Sequence, residues 1–138
     1  MMRRNAKILY VVLMLVISVF LLGSSSHANP LLGKWTCNTQ ETMKNMDSTN
    51  LSDMEKQMYA QYLDSIELSV TKDKMILKKM NGKEVSKYEI LDADNEEVVV
   101  RYTEEDEKDS FNLLQQDTMS WTLKTDQGDV HCILERQN

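Results

Sequence analysis

From residue 65 onward the chain keeps one rhythm: short apolar runs at roughly ten-residue spacing, each closed off by turn residues. Nothing else in the sequence restricts the fold as much, because side chains alternate along a strand and strands joined by hairpin-length links must pair antiparallel. Ile66, Leu68 and Val70 alternate with Glu67 and Ser69, and Lys72-Asp73-Lys74 turns the chain. Residues 75–80 form the next run, and Asn81-Gly82 is a hairpin signal. There follow residues 83–91, a polar turn at 92–95, a strand over 96–103 built on Val98, Val99 and Val100, and an acidic turn at 104–109. Runs at 111–115, 119–123 and 130–134 complete the series. With LLGKWTC at 31–37 as an opening strand, the count is about eight, which predicts an all-β fold: a small antiparallel up-and-down barrel. A sandwich is the alternative, but every late link is short enough for a hairpin.

One helix interrupts the strands. Leu51, Met54, Met58, Tyr59, Tyr62, Leu63 and Ile66 follow a single helical face, which predicts a helix over 51–66 inserted after the first strand. Ser52 with Glu55 is a capping box, and Asn50 is a competing cap. Residues 38–50 before it are polar and carry no apolar periodicity. An exposed apolar stripe invites aggregation, so Met54, Met58, Tyr62 and Ile66 are expected to be buried against the strands.

Residues 1–28 read as a cleaved signal peptide: Arg3, Arg4 and Lys7, then an apolar run over 8–22, then small residues with Ser26 and Ala28 at the spacing of a peptidase site. A retained anchor is the alternative and the only route by which a membrane enters this reading. Residues 29–138 then form a single domain, periplasmic or secreted. Cleavage removes three basic residues and no acid, leaving 13 basic against 22 acidic, a charge of −9. Neither nucleic acid nor an anionic membrane surface is an expected partner of so acidic a chain, since both need clustered Lys and Arg.

The only two cysteines, Cys37 and Cys132, lie in the first and last strands, and by parity share the inner face with Trp35, Trp121 and Leu134. In an oxidising compartment pairing is the default, so a Cys37–Cys132 disulfide is expected to latch the barrel. Such a bond would stabilise by roughly 4–5 kcal/mol on the loop-entropy model.

A Gly-x-Trp in the opening strand, Gly33-Lys34-Trp35, followed by a helix and about seven hairpin-linked strands, resembles the small bacterial lipocalin-like domains. The resemblance covers the layout of residues 29–138 and implies a barrel with one open end and an apolar pocket. It implies no catalytic residue. The helix stands after the first strand here, whereas longer lipocalins place theirs after the barrel.

Chemistry has few candidates. His131 neighbours inward Cys132 and so points outward, away from either thiol. Asp92, Asp94 and Glu96 resemble the start of a calcium loop, but Glu97 stands where that loop needs Gly, so a solvated turn is the reading. Among the methionines, Met43, Met46, Met54 and Met58 suit packing better than a soft metal. No enzyme, metal or cofactor is expected. The expected function is a non-enzymatic binding protein whose barrel mouth, lined by Trp35, Tyr88, Tyr102, Phe111 and Trp121 and covered by Met58 and Tyr62 of the helix, takes a small apolar ligand. The alternative is a protein-interaction module, such as an exported inhibitor, immunity or accessory protein, that uses its acidic rim or helix face.

Overall fold

Val98 and Val100 on one strand and Met119, Trp121 and Leu123 on another share a parity. In the computed structural model, which describes residues 29–46, 49–125 and 128–138, that parity is the inside of a barrel. The expected signal peptide lies outside the described residues. Eight strands run in chain order: β1 (Gly33–Cys37), β2 (Glu67–Val70), β3 (Lys74–Lys79), β4 (Gly82–Ala93), β5 (Glu97–Tyr102), β6 (Glu107–Gln115), β7 (Thr118–Thr125) and β8 (Gly128–Gln137). Each pairs antiparallel with the next, and β8 returns to β1, closing the barrel. This is the expected up-and-down architecture, in a lipocalin-like layout. Gly33 opens β1 at φ +125°, a conformation open to glycine without strain.

Two helices separate β1 from β2: α1 (Thr39–Lys44) and α2 (Asp53–Ser65). The second is the expected helix, and its capping box forms: Ser52 Oγ accepts from Glu55 N–H and donates to Glu55 Oε1, both at 3.2 Å. The first was not legible, because residues 38–50 have no apolar stripe. It is set instead by its cap, where Asn38 Oδ1 accepts from Glu41 N–H at 3.1 Å, and by buried Thr42, whose Oγ1 accepts Ile133 N–H at 3.0 Å. A helix side chain thus supplies a ladder bond to β8 just beyond the end of β1.

The barrel is closed by hydrogen bonds and not by a disulfide. Cys37 and Cys132 lie 4.1 Å apart and are not bonded, about twice a sulfur–sulfur bond length. Register explains the correction: Cys37 stands opposite Leu134, two residues from Cys132, so the thiols are diagonal neighbours. Thr42 Oγ1 also engages Cys37 Sγ at 3.3 Å. The seam is carried by the β1–β8 ladder, by Asn38 N–H to Ile133 O (2.7 Å) and by Gln137 Nε2 to Thr36 Oγ1 (2.6 Å).

The lower end is plugged by residues 29–31. Leu31 is buried and its carbonyl accepts Trp35 Nε1–H at 2.8 Å. Arg136 lies across the Trp35 ring, 4.6 Å from its centroid, and donates through Nη2 to Pro30 O at 2.7 Å. Its buried Nε sits 3.6 Å from Asp117 Oδ1, within ion-pair reach but beyond hydrogen-bond length.

Candidate functional site

The upper end is where α2 leaves the barrel. Its last turn is anchored, with Leu63 and the following Ile66 buried, while Thr39 Oγ1 of α1 donates to Asp64. Toward its start the helix projects past its support on α1, β1 and β3. Met54 is 73% exposed and Met58 63%. The expected burial of the whole stripe is therefore wrong for these two methionines. Tyr62 is half-buried and only the C-terminal end packs as foreseen.

Opposite α2 stands the β3–β4 hairpin. Its loop is Met80-Asn81, one residue earlier than the Asn-Gly reading placed it, because Gly82 at φ +145° already pairs with Lys79 as the first residue of β4. The shift puts Met80 at the tip, 55% exposed. At the mouth the inner face changes from apolar to ionic: Lys79, the next inward position above Leu77, pairs at 3.0 Å with Glu84, which stands opposite Leu77.

Between helix and hairpin lies a groove of about 750 Å³. Met58, Tyr59 and Tyr62 form one wall and Met80 with the Lys79–Glu84 pair the other, while Lys83 and Lys124 stand at the rim. Its size falls within the range of small-molecule sites, about 300–1,000 Å³. Its four apolar or aromatic side chains, Met58, Tyr59, Tyr62 and Met80, stand among five charged ones, Glu55 included, a more ionic lining than the mostly apolar one usual for such sites.

Of the residues expected to line the mouth, Met58 and Tyr62 line this groove, and the other five belong to the barrel interior. Trp35 and Phe111 are buried in the core, and Phe111 stacks on Trp121 with centroids 5.5 Å apart. Tyr88 closes the lower end, accepting from Asn29 Nδ2 at 2.7 Å and donating to Thr71 O at 2.6 Å; burial holds its hydroxyl above the usual range. Tyr102 and Trp121 share a partner missed by sequence reasoning. Asp109 Oδ2 accepts Tyr102 O–H at 2.8 Å and Trp121 Nε1–H at 2.7 Å. Residue 109 was assigned to a turn, but β6 starts at Glu107, and Asp109 then shares the inward parity of Phe111. Burial first, then the Asp109 charge, pushes the Tyr102 hydroxyl well up.

His131 is exposed and its Nδ1 meets Thr122 Oγ1 at 2.9 Å, on the face of β8 opposite the buried Cys132. Asp94 spends Oδ1 on the backbone N–H groups of Glu96 and Glu97, both at 2.7 Å, which is the geometry of a turn. Among the described residues no group of three His, Cys, Asp or Glu is placed to hold a metal ion. Comparison with family models, curated proteins and solved structures finds no match to the chain.

Proposed function

We propose that this chain is an exported, lipocalin-like, non-enzymatic binding protein that holds a small apolar molecule in the groove between α2 and the β3–β4 hairpin. One observation carries the reading: Met58 and Met80, from elements far apart in sequence, are both more than half exposed and face the same 750 Å³ groove. Leaving large apolar side chains in water forfeits about 1.5–3 kcal/mol each relative to burial. Methionine is also the apolar side chain that adapts best to a variable partner. Export is supported by the basic start, apolar run and small-residue site within residues 1–28.

Titration with a fluorescent long-chain alkyl probe tests the groove. The expected result is saturable one-site binding that Met58→Asp or Met80→Asp weakens at least tenfold. Unsaturable binding, or equal affinity in both variants, would count against it. A second reading, a protein partner on the helix face, has its own observation: Met54 is 73% exposed one turn before Met58, yet does not line the groove. A partner captured through Met54, with no probe binding, would favour that reading.

A further inference from the structure

One element of this acidic chain is basic. Residues 72–87, the β3–β4 hairpin with the turn before it, hold six lysines (Lys72, Lys74, Lys78, Lys79, Lys83 and Lys87) against Asp73 and Glu84. That is a net +4 in a chain of −6, so the remainder carries −10. The register concentrates the charge further. On the outer face Lys74 stands opposite Lys87, and Lys78 opposite Lys83. Like charges directly opposite one another on paired strands are destabilising. Between the two lysine pairs sits one apolar pair, Ile76 opposite Val85, with Val85 52% exposed. Met80 projects at the tip between Lys79 and Lys83.

Carboxylates offset only part of this charge. Glu67 lies 3.3 Å from Lys34 and 3.7 Å from Lys78, and Glu104 lies 3.8 Å from Lys87. Among the described residues Lys74 and Lys83 have no carboxylate within ion-pair distance.

We propose that the outer face and tip of this hairpin dock on an anionic lipid surface, with Met80 and Val85 entering the headgroup layer and the lysines meeting its phosphates. The side-chain chemistry selects lipid over an acidic protein. All six cations are lysine, which protein interfaces deplete in favour of arginine. A lysine stem lies along apolar surface while its ammonium stays in water, so lysines interleaved with exposed apolar side chains suit the boundary between headgroups and acyl chains. Each lysine held near an anionic leaflet adds to the attraction. The paired lysines, unfavourable in the free protein, are relieved where a negative surface covers them. The proposal shares Met80 and Lys83 with the groove and departs from the groove reading at Lys74, Val85 and Lys87, which do not line it.

The test is co-sedimentation of residues 29–138, which contain every strand of the closed barrel, with vesicles of phosphatidylcholine alone or with about a third phosphatidylglycerol. Binding is expected to the anionic vesicles only, and should fall steeply as salt is raised from low ionic strength. Lys74→Gln/Lys87→Gln should lower partitioning on the order of tenfold while leaving alkyl-probe binding intact. Val85→Ser, outside the groove, should weaken vesicle binding at every salt concentration. The double lysine variant removes a like-charge pair and should unfold no earlier than wild type, so lost binding would not reflect lost structure. Equal binding to neutral and anionic vesicles, binding to neither, or undiminished binding by the double variant would overturn the proposal. So would capture by polyglutamate without vesicle binding, which would give the face to an acidic protein.

Discussion

Cys37 and Cys132 are neighbours with opposite characters. Cys37 is half-buried, and the neighbouring Cys132 thiol first, then the Thr42 hydroxyl at 3.3 Å, hold its thiol below the ordinary range against the opposing effect of burial. Cys132 is fully buried, and the adjacent Cys37 thiol together with burial pushes it up. Since the thiolate is the reactive form, iodoacetamide should label Cys37 quickly in native protein, with a rate that rises at a lower pH than the roughly 8.5 of a free thiol. Cys132 should label only in denaturant. Peptide mapping after timed quenching reads both, and equal native rates would contradict this assignment. Parity placed both thiols inside, and that much was legible. Their diagonal offset was not, because it depends on a register that local sequence does not encode. Asp109 was hidden for a related reason: starting the strand at 107 in place of 111 turns a loop carboxylate into the inward partner of Tyr102 and Trp121.

At the level of elements, α2 divides into a packed end and a projecting end. Leu63→Ala should cost about 2–5 kcal/mol through lost burial and the cavity left behind. Met58→Ala should change stability by less than about 1 kcal/mol, since that side chain is already largely in water. Urea unfolding with the midpoints read at constant slope checks the pair. A cost above about 2 kcal/mol at Met58 would mean the helix lies flat on the barrel and the groove is closed. The helix, its face and its cap were all legible from residues 51–66. Periodicity tells which side of a helix faces the body but not how far the supporting surface extends beneath it. That surface is α1, β1 and β3, and it leaves Met58 and Met54 uncovered. The basic hairpin was overlooked for a different reason: net charge averages over the chain, whereas pairing Lys74 with Lys87 and Lys78 with Lys83 is a product of the fold.

For the whole molecule, the strand count, order and closure followed from alternation and turn spacing, since hairpin-length links leave few other topologies. The seam is carried by the β1–β8 ladder, and across it lies a contact with no local signature, Arg136 over the Trp35 ring. Arg136→Ala removes the cation–π contact and the bond to Pro30 O, and should cost about 2–4 kcal/mol. Thermal or urea unfolding would show it, and a change below about 0.5 kcal/mol would mean that residues 29–31 do not depend on this side chain. The same seam governs when the barrel can exist at all. β1 finds its second neighbour only in β8, the last strand to be made, nearly 100 residues later. At synthesis rates of about 5–20 residues per second, the Trp35 strand waits on the order of 5–20 seconds with one edge open. During that interval no subset of strands can complete the cylinder, so a nascent chain remains unclosed until its final segment appears.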